Sequence, residues 1–259
     1  MERKITIVKV GGAVVEDSCR LSVLLNGFCS IGGDKLLVHG GGRRATRIAS
    51  SLGIESRMVG GRRITDEAML EVVTMVYGGL INKNIVALLQ SRGINAAGLT
   101  GADMDIIRSH RRPVTGGIDY GFVGDVERVD SNRLFALIGQ GVTPVLAPLT
   151  HDGKGSMLNT NADTIASQTA VAMAAESEVT LIYCFEKPGV LASPDDDTSV
   201  IPSITPISFL QQKADGTISG GMIPKIENAL RALEGGVKKV IITNPESLGH
   251  SGAGTMVSL

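Results

Sequence analysis

Two lysines, far apart in the chain, stand where a cation is costly unless an anion is near. Lys9 follows the strand-forming run Ile5-Thr6-Ile7-Val8 and precedes Gly11-Gly12. An ammonium within a buried strand must reach an anion or water, and glycines just beyond it let the backbone approach a ligand and aim N–H groups at it. The segment alone is equally compatible with a solvated lysine at a strand tip. Lys225 follows Gly220-Gly221-Met222-Ile223-Pro224, in the first turn of a helix whose apolar face is Ile226, Ala229, Leu230 and Leu233. There it faces the positive end of the helix dipole, which is unfavourable without an anion, and Pro224 suits an early helical position. The competing reading is a surface lysine bending into water.

A second glycine turn, Val38-His39-Gly40-Gly41-Gly42, leads into a helix opened by Arg43 and Arg44. Strand, glycines, helix is the order that sets anions on a helix N-terminus, although a tight strand-to-helix turn needs the same residues. It is neither a Walker A loop nor a complete GxGxxG. His39-Gly40-Gly41-Gly42 also looks like an esterase oxyanion stretch, but such a hydrolase needs a GxSxG elbow followed by an acid and a histidine. The nearest match, Gly249-His250-Ser251-Gly252-Ala253, has no histidine after it, so that reading fails.

Asn159-Thr160-Asn161-Ala162-Asp163 precedes another helix, where Asn161 as N-cap and Asp163 as dipole partner account for most of the pattern. Asn159 is left over, and Asp163 is equally able to hold two lysines in place. Arg63, just before a long helix, is suited to bidentate carboxylate recognition or to a plain surface position.

These groups sit in a chain of 259 residues with 43% hydrophobic composition, enough for a substantial core. Aromatics are 3% with no Trp, against base-stacking platforms, and a net charge of -1 gives no footprint for nucleic acid or a membrane surface. Cys19, Cys29 and Cys184 form no CxxC and read as reduced thiols of a cytoplasmic protein. The four histidines lack metal-ligand spacing, so no protein-bound metal is expected. Lys9, Gly11-Gly12 and Glu16-Asp17 argue for a first strand over a secretory leader, and the glycines and prolines within Leu134 to Leu149 rule that tract out as a membrane span.

Positioning falls to an α/β alternation. Ile5–Val8, Lys35–His39, Ile94–Gly98, Val142–Leu146, Val179–Cys184 and Lys238–Thr243 read as strands of a mainly parallel sheet. Asp66–Gln90, with an apolar repeat near 3.6, Asn161–Ala175 and Ile223–Glu234 read as helices. Between Asp105 and Asp130, two-residue alternations with Arg, Gly and Pro predict hairpins able to act as a lid. A break near Glu176 divides the chain into lobes 1–176 and 177–259 on one continuous sheet.

In this order and spacing, six stretches resemble the amino acid kinase superfamily, and within it the members that phosphorylate an N-acylated glutamate. They are Val38–Gly42, Arg63–Asp66 leading to Val72–Val76, Asn82-Lys83, Phe122–Gly124, Asn159–Asp163 and Gly221–Lys225. The resemblance implies an open αβα sandwich, with the acyl amino acid on the first lobe and the nucleotide on the second. It implies transfer of the ATP γ-phosphoryl group to a side-chain carboxylate, as in arginine biosynthesis, with Mg²⁺ bound through the nucleotide. Lys9 and Lys225 would contact the transferring group, and Gly11 and Gly12 would donate N–H groups to the phosphates. Gly41 and Gly42 would hold the attacking carboxylate, Arg63 and Asn159 the α-carboxylate, and Asp163 would orient the lysines. Glu186 and Gly189 would lie at the nucleotide.

This chain departs from the family pattern at Ala102-Asp103-Met104-Asp105, where a lysine-bearing run is usual, and at Glu186-Lys187-Pro188-Gly189, where Asp-Val-Pro-Gly is usual. Arg108, Arg111 and Arg112 follow in the lid, so N-succinyl-glutamate is an alternative to N-acetyl-glutamate; a solvated hairpin explains them as well. A non-catalytic nucleotide sensor on the same fold is the alternative of a different class. Arginine-inhibited members carry an extra helix before the first strand. Here that strand begins within five residues, implying a homodimer without arginine feedback.

Overall fold

The β-branched runs form strands and the longer repeats form helices in a computed structural model describing residues 3–250 and 252–259. Met1, Glu2 and Ser251, the centre of the near-miss Gly249–Ala253 stretch, lie outside the described residues. The six expected strands are Lys4–Val10, Asp34–His39, Ala96–Leu99, Thr143–Leu146, Glu178–Cys184 and Lys239–Thr243. The result is an α/β fold with a mainly parallel central sheet.

The chain forms two compact units. One runs to Leu36 and resumes over Ala166–Leu259, and the other is Leu37–Ile165. The chain passes between them inside the strand Asp34–His39 and inside the helix Ala162–Ala174. This differs from a break near Glu176, and the reason is non-local pairing. Lys4–Val10 is bonded in parallel along its length to Glu178–Cys184, Lys9 opposite Tyr183 and Val10 opposite Cys184. Parallel partners need a long crossover, and nothing in composition marks which distant run is the partner.

In the terminal unit the strand order is Ser203–Ile204, Thr255–Val257, Lys239–Thr243, Glu178–Cys184, Lys4–Val10. Only the pairing of Lys239–Thr243 with Thr255–Val257 is antiparallel among them. The helix Met222–Glu234 buries Ile226, Ala229, Ala232 and Leu233 and stops at Gly235; the left-handed turn needed just beyond falls on Gly236, at φ 97°.

In the central unit Thr143–Leu146 lies between Asp34–His39 and Ala96–Leu99, all parallel. The expected hairpin is present, with Ile107–Arg111 antiparallel to Gly124–Val129, and these extend through Leu149–His151 to Met157–Asn159. The helix expected over Asp66–Gln90 is α over Glu67–Val73, π over Thr74–Ile81 and α again over Asn82–Gln90. By length and mean hydropathy (1.5 over its best window) this segment could cross a membrane. Its Met69, Val72, Val73, Val76, Ile81, Ile85 and Leu89 are instead buried, while Met75, Leu80 and Leu88 are exposed.

Candidate active site

Lys9 is 7% exposed near the end of the first strand. The parallel ladder continues one residue past it, because the Gly11 N–H donates to Cys184 O at 2.9 Å. That amide is committed, so the phosphate contact expected of Gly11 through its N–H is not available. Gly12 opens the helix Gly12–Glu16, where a first-turn N–H has no intrahelical acceptor. The adjacent Cys184 thiol is pushed up to about 12 by burial, with the Glu246 carboxylate adding to the rise, so it is no nucleophile at neutral pH.

Lys225 belongs to the same unit as Lys9. It is the fourth residue of the helix Met222–Glu234, and its ammonium lies 5.8 Å from the ring centroid of Phe185, the residue after the strand Glu178–Cys184. Two amides of the helix start are engaged. Met222 N–H donates to Ser219 O at 3.2 Å, Ile223 N–H to Gly220 O at 3.3 Å, and Pro224 has no N–H. Lys225 adds a cationic side chain at this terminus. Beside it a cavity of about 250 Å³ is lined by Gly189, Val190, Leu191, Pro194, Thr217 and Met222. Gly189 has no room for a side chain, since a Cβ would come within 2.7 Å of Val200 Cγ1 and 2.8 Å of Thr255 Oγ1. Glu186 is exposed, one residue before Lys187, where the lining begins.

In the central unit the second glycine turn is braced from two sides. Arg63, 7% exposed, donates through Nη2 to Gly42 O and to Thr46 Oγ1, each at 2.9 Å, and through Nη1 to Ser56 Oγ at 2.7 Å. Gly41 packs against the π-helical segment. A Cβ there would collide with Ile81 Cδ1 and lie 3.1 Å from the Tyr77 ring. Gly42 opens the helix Gly42–Ser51, whose first internal bond is Ala45 N–H to Gly41 O at 3.1 Å, leaving the preceding amides without helical acceptors.

Arg63 and Asn159 are tied together. Asn159 Nδ2 donates to Thr65 Oγ1 at 3.0 Å, and Thr65 Oγ1 donates to Arg63 O at 2.9 Å. The Phe122-Val123-Gly124 stretch threads between them, with Phe122 N–H on Thr65 O at 2.6 Å and Asn159 N–H on Phe122 O at 2.8 Å. Gly124 permits this passage, for a Cβ would stand 2.7 Å from Thr160 Oγ1. Asp163 is second in the helix Ala162–Ala174, and Asn161 caps it as expected, accepting from the Asp163 N–H at 2.8 Å and the Thr164 N–H at 3.1 Å.

The three lid arginines are engaged locally. Arg108 pairs with Asp105 at 2.7 Å and Arg112 with Asp125 at 2.7 Å. Arg111 donates to Gly121 O at 2.6 Å and stacks 4.6 Å from the Phe122 ring centroid.

Four residues of this site carry no role in the sequence reading: His39, Thr65, Tyr77 and Asn82. Three of them lie within quoted motifs without a part of their own, and apolar periodicity hides the π-helical segment that holds Tyr77. His39 is fully buried, and burial above all, with the Lys83 charge adding, lowers its pKa from 6.5 to about 4. Above pH 6.5 neither state is protonated there. As pH falls from 6.5 toward 4, the unfolded chain takes up a proton that the folded one refuses, so apparent stability drops by roughly 3 kcal/mol across that window. Chemical denaturation at stepped pH should show this slope, and His39→Asn should remove it. An unchanged slope in the variant would assign it to other groups.

The family model described as the amino acid kinase family matches residues 4–244. An acetylglutamate kinase from Phocaeicola vulgatus is 62% identical over 257 residues, 99% of each chain. Another from Bacteroides thetaiotaomicron is 64% identical over 94% of each. An N-acetylglutamate synthase from Neisseria gonorrhoeae, solved with coenzyme A and N-acetyl-glutamate, superposes with a TM-score of 0.82 at 20% identity, over 98% of this chain and 59% of that one. That last likeness is one of fold alone.

Proposed function

The chain belongs to the amino acid kinase family, and on that premise we infer that it transfers the γ-phosphoryl group of ATP to the side-chain carboxylate of N-acetyl-L-glutamate. A carboxylate oxygen forms the new bond to γ-phosphorus, the bond to the β–γ bridging oxygen breaks, and ADP leaves. The carboxylate is already an anion at neutral pH, so no general base is required. The obstacle is repulsion between two anions, which fixed cations and aimed N–H groups offset.

The observation that carries this reading is the Arg63 bond to Gly42 O, which puts a guanidinium beside the glycine turn at the start of a helix. We assign the acyl amino acid to the central unit, with Gly41 and Gly42 at the attacking carboxylate and Arg63 and Asn159 at the α-carboxylate. We assign the nucleotide to the terminal unit, with Lys9, Gly12 and Lys225 at the phosphates and the Gly189 cavity at the nucleoside. Asp163 is assigned to fixing the lysines. Mg²⁺ would be held chiefly by the phosphates and would add to their neutralisation. The exposed Met75, Leu80 and Leu88 support a homodimer, which a single-chain mass in light scattering would remove.

N-succinyl-glutamate is not favoured. The relatives carry the acetyl name, and Arg108, Arg111 and Arg112 already have local partners. Trapping the acyl phosphate as a hydroxamate, over a panel of N-acetyl-, N-succinyl- and free acidic amino acids, tests the assignment. Turnover is expected to be highest with N-acetyl-L-glutamate. ATP binding without hydroxamate from any member would point to a nucleotide sensor.

A further inference from the structure

The second glycine turn has a third brace, and it comes from a group that no step of the transfer uses. His39 ends the strand Asp34–His39 and is fully buried. Its Nδ1 lies 2.9 Å from Gly40 O, and its Nε2 lies 3.2 Å from Asn82 Nδ2. A carbonyl oxygen only accepts and an amide nitrogen only donates. The ring must therefore carry its proton on Nδ1, give it to Gly40 O, and accept from Asn82 at Nε2. The direction of the Asn82 amide is fixed independently. Its Nδ2 also donates to Val145 O at 2.9 Å, and its Oδ1 accepts from Lys83 Nζ at 3.2 Å. Lys83 in turn donates to Gly98 O at 2.7 Å. Gly98 is obliged to be glycine, because a Cβ there would overlap Asn82 Oδ1.

The polar chain Lys83–Asn82–His39 thus ends on the peptide just before Gly41. The same helical segment supplies the packing on Gly41, through Tyr77 and Ile81. In a π-helix the bonds run from i to i+5, which brings Tyr77 and Asn82 onto one side of the turn. Two unlike contacts from one wide turn, apolar and polar, converge on one loop of the site.

We propose that His39 and Asn82 are positioning residues for the transfer, locking the Gly40 peptide so that the amides of Gly41 and Gly42 stay aimed at the attacking carboxylate. This rests on the reading of those glycines given above. A buried histidine with both nitrogens satisfied is often no more than a core residue, so the distinction has to be kinetic.

The test uses the full chain and measures kcat, both KM values and the thermal midpoint. His39→Gln can offer an acceptor near the Nε2 position but loses the donor to Gly40 O. His39→Asn can keep a donor near Nδ1. His39→Gln is expected to lower kcat/KM for N-acetyl-glutamate by about 10²-fold, the scale of a misplacement of about 1 Å, with the KM for ATP nearly unchanged; His39→Asn should recover most of that loss. A lowered midpoint with unchanged kcat and KM in His39→Gln would overturn the proposal, as would equal losses in both variants. If His39→Gln does not fold, the near-isosteric Asn82→Asp carries the test with the same expected KM split. On the wild-type protein, histidine ¹⁵N shifts should report the Nδ1–H tautomer at pH 7. An Nε2–H tautomer or an imidazolium would refute the lock. Failure of the underlying reading looks different, because the wild-type enzyme would then give no hydroxamate from N-acetyl-glutamate.

Discussion

Replacing Lys225 by alanine is expected to lower kcat about 10³-fold, the scale of losing one preorganised charge-stabilising donor, while ATP affinity changes by no more than about threefold. The asymmetry follows from where the residue stands. At the fourth position of the helix Met222–Glu234 the ammonium is opposed by the helix dipole, and the nearest amides of that terminus are already spent on Ser219 O and Gly220 O. The Phe185 face holds the cation at 5.8 Å from its centroid. On the proposed assignment, ground-state nucleotide would have other holds in the same unit: Lys9, the Gly12 amide and the cavity at Gly189. A cation kept against its helix dipole gains most when negative charge grows nearby, on the transferring phosphoryl group and the departing bridging oxygen. Lys225→Arg should not restore the rate, since a planar fork cannot stand in for a point charge over a ring face. Single-turnover kinetics with separately measured ATP binding checks the claim. Unchanged turnover in the alanine variant would remove Lys225 from the catalytic role.

The position of Lys225 in a first helical turn was legible because its cost is local. A cation in a first helical turn after paired glycines is anomalous from a dozen residues of sequence. The same holds for Lys9 at the end of an apolar strand, for the Asn161 cap, and for the Ile107–Arg111 hairpin. What stayed hidden depended on partners far along the chain. The Gly11 amide reads as free until Glu178–Cys184 is known to lie beside the first strand and take its hydrogen at Cys184 O. The same distant pairing joins residues up to Leu36 and Ala166–Leu259 in one compact unit. The helix Glu67–Gln90 shows an apolar repeat near 3.6 throughout, so the π-helical stretch Thr74–Ile81 leaves no trace in periodicity. With it went the reason for Tyr77 and Asn82. His39 was visible as a letter in a glycine motif, but its protonation state needed Gly40 on one side and Asn82, 43 residues on, at the other.

Arg63→Ala is expected to raise the KM for N-acetyl-glutamate about 10²-fold, with the KM for ATP within about threefold of wild type. Sequence alone suggests a bidentate clamp on the substrate's α-carboxylate, and the structure shifts the balance of that role. A guanidinium has five N–H donors. Gly42 O, Thr46 Oγ1 and Ser56 Oγ take three of them, and both donors on Nη2 are spent. Little of the fork is left for a ligand. In the proposed site Arg63 would therefore act as a fixed positive charge and as a brace on the Gly42 peptide more than as a two-toothed clamp. Losing it would also leave Gly42 O short of a donor beside Gly41, a residue with no room to shift against Ile81 and Tyr77. Arg63→Lys separates the two parts. It keeps the charge, but one ammonium on a flexible stem cannot serve Gly42 O, Thr46 and Ser56 together. If bracing dominates, as this geometry argues, lysine recovers less than about tenfold of the lost kcat/KM. Full recovery with lysine would assign the effect to charge alone, and an unchanged KM in a folded alanine variant would remove Arg63 from the substrate site.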